Sequence, residues 1–187
     1  MKIGVLGGAF NPPHIGHLTL AQDISEILSL DKVFFIPTNI SPYKEALEAD
    51  AKLRLEMAKL ATFGNKKFEV LDLEIKREGV SFTIDTIREL KKKFPEDEFY
   101  LIVGSDLTET LSTWRNYQDL KKEVKIVVGK RREYPLDDNE FYHTVNIRQI
   151  EASSSQIREL VKNGCSIRHL VTENVAKYIQ QHELYKM

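Results

Sequence analysis

His14 and His17 stand three residues apart in the stretch GGAFNPPHIGH, residues 7–17. That spacing sets both imidazoles on one face of a helix's first turn. A helix N-terminus already favours anions through its free N–H groups and its dipole. The residues before them suit the same purpose, since Gly7 and Gly8 let a ligand approach the backbone and Pro12 and Pro13 stiffen the connection. The plain alternative is a turn with two satisfied histidines, or half of a metal site. A zinc site needs further ligands, and only Cys165, His143, His169 and His182 are at hand, scattered along the chain. A second cluster, SSSQIR at residues 153–158, reads in two ways. It is a serine N-cap worth about 1 kcal/mol, or it gathers hydroxyls, backbone N–H groups and a guanidinium at one helix start, which describes a seat for pyrophosphate.

Two familiar nucleotide motifs are excluded. After the first apolar run the glycines fall at 4, 7, 8 and 16, and the second run ends at Pro37 instead of an acidic residue, so no dinucleotide fingerprint is present. Gly129-Lys130 is followed by Arg131 and has Val124 where a P-loop needs its first glycine.

The elements that must position these residues follow from hydrophobic patterning. Apolar, β-rich runs at residues 2–6, 32–37, 68–73, 99–104 and 124–129 read as strands buried on both faces. Between them lie helical faces: Leu18, Ala21, Ile24 and Leu28; Leu53, Met57, Leu60 and Ala61; and Ile84, Ile87, Leu90 and Phe94, stopping before Pro95. The alternation predicts an α/β fold, a doubly wound, Rossmann-like parallel sheet of five to six strands with helices on both faces. A C-terminal helical segment from about residue 154 carries Ser154 to Lys162, Gly164 as its stop, and a last helix with Val175, Tyr178 and Ile179. In such folds ligands bind beyond the carboxyl ends of the strands, where the strand order switches, and the unusual loops of this chain follow its predicted strands.

Composition bounds the rest. The 187 residues, 42% hydrophobic and 29% charged, suffice for one domain spanning 1–187, into which the C-terminal helices are expected to pack. A formal net charge of −1 gives no global attraction to nucleic acid or to an anionic membrane, so a phosphate ligand must be drawn by a local cluster. The lone Cys165 excludes an internal disulfide and is expected to be a small, partly buried residue. The N-terminus does not read as a signal peptide and no apolar run approaches the ~18 residues of a membrane span, so a cytoplasmic protein is expected. Oligomeric state is left open, homo-oligomers included.

GGAFNPPHIGH resembles the first signature of the nucleotidyltransferase superfamily, whose HxGH element corresponds to His14, Ile15, Gly16 and His17. Ser154-Ser155-Gln156-Ile157-Arg158 matches its second signature, about 140 positions further on and in the expected order. Within the superfamily, KREGVSFTIDT (76–86), IVGSDLTETLSTW (102–114) and VAKYIQQHELY (175–185) are similar to the bacterial nicotinate mononucleotide adenylyltransferases. The resemblance runs nearly end to end. Phosphopantetheine adenylyltransferases, the nearest competitors, typically have Thr at the position of His14 and lack the SFTIDT and SDL…W elements. The chain departs from the family pattern at Asn11, Ala9, Phe82 and Arg132-Glu133, where Asp, Thr, Tyr and Pro-Gly are usual.

The resemblance implies adenylyl transfer from ATP to nicotinate mononucleotide, giving deamido-NAD and pyrophosphate, a step of pyridine nucleotide and NAD synthesis. It implies His17 at the α-phosphate, His14 at the phosphate chain, and Arg158 with Ser154 and Ser155 on the β/γ side. Gly7, Gly8, Ala9 and Phe10 belong to the ATP side. So does Lys44, reading otherwise as an exposed loop lysine. Gly104 and Asp106, at the end of the fourth predicted strand, serve the nucleotide. Phe82, Thr83, Asp85, Trp114 and Arg131 are expected at the acceptor; Trp114 reads otherwise as core, and Arg131 as an exposed loop arginine. Mg²⁺ is expected to travel on the ATP phosphates, with no dedicated protein ligands. Thr83 reads as the N-cap of its helix, with N–H groups that suit a carboxylate better than a carboxamide. Alternatives from other classes are a phosphopantetheine or other adenylyltransferase, and a nucleotide-binding regulatory module that performs no transfer.

Overall fold

The computed structural model describes residues 1–42, 48–130 and 142–186; Lys44, Arg131 and Arg132-Glu133 lie outside them. Six strands form one all-parallel sheet: β1 Lys2–Gly8, β2 Lys32–Pro37, β3 Phe68–Val70, β4 Glu98–Gly104, β5 Lys125–Lys130 and β6 His143–Asn146. Their order is β3-β2-β1-β4-β5-β6, so the direction of winding reverses between β1 and β4. The helices are α1 Ile15–Ile27, α2 Ala51–Thr62, α3 Leu73–Arg77, α4 Thr83–Lys93, α5 Tyr117–Glu123, α6 Ser154–Lys162 and α7 Glu173–Gln181.

The period-2 alternation of each strand shows why its run is apolar throughout. Ile3, Val5, Phe34, Ile36, Phe99, Leu101, Val103, Ile126 and Val128 face one side, against Ile84, Ile87 and Leu90 of α4 and Leu120 of α5. Leu6, Val33, Phe35, Tyr100, Ile102 and Val127 face the other, against Leu20, Ala21 and Ile24 of α1 and Ala58 of α2. Both faces are therefore covered, as a parallel sheet requires. A third cluster joins Met57 and Ala61 of α2 to Ile157 of α6 and to Val175 and Ile179 of α7, which holds the C-terminal helices on the outer side of α2.

Three expectations are corrected, and the sixth strand is located. The run 68–73 is strand only to Val70, and Leu73 opens α3 instead. The unnamed sixth strand is β6, a short edge with two exposed ends that pairs with β5. β1 runs on through Gly7 and Gly8, which pair with Ile36 and Pro37, so the connection to α1 begins at Ala9. Cys165 lies past the end of α6 and is exposed, because the helix has already stopped at Asn163 and Gly164.

Candidate active site

The link from β1 to α1 leaves the sheet where the strand order reverses. Phe10 takes a left-handed backbone (φ 47°) and buries its ring against Phe35 and, edge-on at 5.1 Å, against His17. Any contact Phe10 makes with a ligand therefore comes from its backbone; its ring is a wall under the histidine. His14 is the N-cap of α1 and is buried, and its ring lies 3.8 Å from that of His17. The backbone N–H of His14 donates to His17 Nδ1 at 3.2 Å. An imidazole nitrogen that accepts carries no proton, so in the neutral ring the proton sits on Nε2, which becomes a donor. At Gly16 a Cβ would sit 3.0 Å from His14 Nδ1, so a side chain there would press on the buried His14 ring. At Gly7 a Cβ would meet nothing within 4 Å, which leaves open space above the end of β1.

The two signatures meet. Ser154 Oγ donates to the Pro12 carbonyl at 2.8 Å, and Arg158 Nη1 donates to the Asn11 carbonyl at 2.9 Å. The cap of α6 is Ser153, whose hydroxyl accepts from Gln156 N–H, so Ser154 and the exposed Ser155 lie in the helix's first turn. Arg158 Nε also donates to Glu48 at 2.8 Å.

Sequence reasoning missed Arg54, which is 1% exposed. It donates to the carbonyls of Ala49 at 3.1 Å, Ala9 at 2.7 Å and Asn39 at 2.9 Å, tying together the segments that follow β1, follow β2 and lead into α2. Burial works to lower its pKa, partly offset by Tyr185, Asp50 and Glu74. A guanidinium nevertheless stays charged, and its donors meet carbonyls that a buried cation requires. The signal was available: Arg54 sits on the same helical stripe as Met57, Ala58 and Ala61, a charge on a buried face.

A second group of residues surrounds the start of α4. Val80 bridges to Ile40, Ser81 N–H donates to the Ile40 carbonyl, and Ser81 Oγ accepts from Asn39 N–H at 3.0 Å. These bonds hold 80–81 extended, and the N-cap of α4 falls on Phe82, whose side chain makes no cap bond; Thr83, expected as the cap, is the first helical residue. The first N–H groups of α4 thus have no side-chain cap. Phe82 and Trp114 are half-buried against the same core cluster, so Trp114 is partly core and partly accessible. Arg115, also not foreseen, lies 4.4 Å from the Phe82 ring centre and 3.5 Å from Asp85. Behind the helix start, Glu74 is buried and accepts from the Thr86 hydroxyl at 2.7 Å. Burial raises its carboxyl above the ordinary range despite the hydrogen bonds from Thr86 and Ser81 and the charge of Arg77.

Gly104 closes β4 beside Gly129 of β5, and a Cβ there would lie 2.4 Å from Asp106 Oδ1, so a larger residue would push this carboxylate aside from the strand end. Asp106 itself is exposed. A cavity of about 640 Å³ opens at the opposite edge of the sheet, beside Glu98, Lys125 and His143 at the starts of three strands, and contains none of the motif residues. Among the described residues no group of three or more His, Cys, Asp or Glu is arranged to hold a metal ion. None of their helices is long and apolar enough to cross a membrane.

A parallel sheet with two histidines, a guanidinium and helix N-termini at its switch point defines a nucleotide-handling α/β protein, and residues 5–160 match the family described as cytidylyltransferase-like. A probable nicotinate-nucleotide adenylyltransferase of Exiguobacterium sibiricum is 40% identical over 187 residues, 99% of each chain. One of Dictyoglomus turgidum is 42% identical over 194 residues, 99% of this chain and 96% of its own. The chain belongs to this family, the nicotinate-nucleotide adenylyltransferases among the cytidylyltransferase-like proteins. The nicotinic acid mononucleotide adenylyltransferase of Plasmodium falciparum, solved in complex with NaAD, has the same fold, with a TM-score of 0.83 at 21% identity over 98% of this chain and 97% of that one.

Proposed function

We propose that residues 1–187 form one domain that transfers the adenylyl group of ATP to nicotinate mononucleotide at the carboxyl ends of β1 and β4, giving deamido-NAD and pyrophosphate. The observation that carries this reading is the meeting of the two signatures, with Ser154 and Arg158 bonded to the carbonyls of Pro12 and Asn11 beside His14 and His17. A phosphate oxygen of the mononucleotide attacks the α-phosphorus, the bond from that phosphorus to the bridging oxygen breaks, and pyrophosphate leaves with the electron pair. The attacking group is already an anion at pH 7, so no general base is needed; the protein aligns the reactants and stabilises charge on the oxygens.

His17, with Nδ1 accepting from backbone, donates from Nε2 to the α-phosphate. His14 serves the phosphate chain, and Arg158 the β/γ side with Ser155. Ser154, whose proton is engaged by Pro12, acts there by holding the loop. Gly7, Gly8 and the Ala9 and Phe10 backbones line the ATP side, with Gly104 and Asp106 at the nucleoside. Thr83, Asp85, Phe82 and Trp114 line the acceptor side. Lys44 and Arg131 remain part of the proposal on the ATP and acceptor sides respectively. Adenylyl transfer from ATP uses a divalent metal; among the described residues no donors form a cage for one, and Mg²⁺ is assigned to the ATP phosphates with several waters retained. We assign the protein to the cytoplasm.

Pyrophosphate release is measured with ATP, Mg²⁺ and nicotinate mononucleotide, nicotinamide mononucleotide or phosphopantetheine. Release with nicotinate mononucleotide, matched by deamido-NAD, is expected. Release only with phosphopantetheine places the chain with the other adenylyltransferases, and silence throughout marks a binding module.

A further inference from the structure

Arg158 is already paired with an anion from its own chain. Its Nε donates to one Glu48 oxygen at 2.8 Å, and the second Glu48 oxygen accepts from Asn11 Nδ2 at 2.7 Å. Since a carboxylate only accepts, the NH₂ of Asn11 must face Glu48 and its Oδ1 must face Tyr185, whose hydroxyl donates at 2.8 Å. Burial pushes the Tyr185 phenol up, so it keeps the proton this bond requires. Partial burial works to raise the Glu48 carboxyl, but its own backbone N–H, the charge of Arg158 and the bonds from Asn11 and Arg158 outweigh it and hold the group below its ordinary value. Glu48 is therefore an ionised carboxylate fixed at both oxygens and seated on the guanidinium.

We propose that Glu48 is a built-in competitor for the phosphates of ATP at Arg158, and that Asn11 is the residue that permits it; this rests on reading Arg158 as a ligand of the β/γ-phosphates. A planar guanidinium presents its donors in fixed forks, and with Nη1 given to the Asn11 carbonyl the fork left to a phosphate is Nε with Nη2, whose Nε Glu48 holds. An Asp at position 11 would set a second carboxylate against Glu48, so the amide is what allows the anion to stay. The Glu48 side chain is 52% exposed and that of Arg158 24%. Ion pairs this open to water are weak, and incoming triphosphate, with more charge and more oxygens, displaces the carboxylate. Glu48 thus sets the affinity of the phosphate seat without closing it.

Calorimetric titration with inorganic pyrophosphate, and separately with Mg-ATP, of the wild-type chain, Glu48→Gln, Arg158→Met and the double variant tests this. Glu48→Gln keeps the size of the side chain and removes its charge; it is expected to tighten pyrophosphate roughly three- to tenfold, and to have no effect once Arg158 is Met. Unchanged or weaker binding by Glu48→Gln, while Arg158→Met weakens binding, overturns the competitor and leaves the phosphate role of Arg158 standing. Equal tightening in both backgrounds overturns it too, because the effect would then be that of a diffuse charge. Unchanged binding by Arg158→Met overturns the phosphate role itself, and the competitor with it. Melting curves of each variant establish that the folded protein is being compared.

Discussion

The two ends of the candidate site are built on different physical terms. At the end proposed for the phosphates the framework is buried: Phe10, Asn11, His14 and Arg54 are at most 4% exposed, and Arg54 meets three carbonyls. At the acceptor end the polar side chains are open, with Asp85 38% and Arg115 52% exposed and 3.5 Å apart. A buried charge must have all its donors met, and once met it is fixed. An exposed pair contributes little, so a ligand can take the place of either partner at small cost. Geometry is thus held tightest where a bond is proposed to form and break, and loosest where the acceptor's identity is proposed to be read.

The sharpest test of this contrast is His17→Ala. Removing one preplaced donor to a developing oxyanion is expected to lower kcat roughly 10²–10³-fold, with the Kd for ATP changed only a few-fold. Steady-state kinetics, ATP titration and a melting curve decide it. Near-normal turnover would mean that the buried end is scaffold alone.

A smaller effect is expected at the acceptor end. A carboxylate placed at the uncapped start of α4, near the Arg115 guanidinium, gains charge-assisted hydrogen bonds that a carboxamide cannot reproduce. The ratio of kcat/KM for nicotinate over nicotinamide mononucleotide should be roughly ten- to a hundredfold, and Arg115→Gln should lower that ratio a few-fold while leaving ATP affinity unchanged. Equal values for the two acceptors in the wild-type chain would show that the helix start does not read the pyridine substituent.

The smallest effect concerns Glu74, the buried carboxyl behind this open end. Its folded pKa is raised above 4.5 by burial, so the folded chain holds this proton more tightly than the unfolded chain does. Its contribution is therefore most favourable below 4.5 and declines as pH rises through the unfolded and then the folded value. Glu74→Gln keeps an acceptor for Thr86 and carries no charge. Its melting temperature relative to wild type should be higher at pH 8 than at pH 4, by roughly 2–4 °C for each kcal/mol involved. A difference that does not change with pH would show that the folded chain holds the Glu74 proton no more tightly than the unfolded chain does.

The sequence by itself determined the sheet and the exit of its first strand. Strand runs apolar on both faces, helical stripes between them, and glycine, proline and histidine at one strand exit all act through local periodicity and backbone restriction, which a linear reading captures. Strands β1, β2, β4 and β5 came out within two residues at either end for this reason. Where local patterns compete, tertiary contacts decided: the bridge from Ile40 to Val80 moved the α4 cap from Thr83 to Phe82, and pairing with β5 made a strand of HTVN. Only the folded chain could place Arg54 on three separate loops or bring Arg158 to Asn11, 147 positions away. Glu48 and Tyr185 bear no local mark, because a hydrogen bond across such a separation is specified by how the sheet and outer helices pack, not by the residues beside it in the chain.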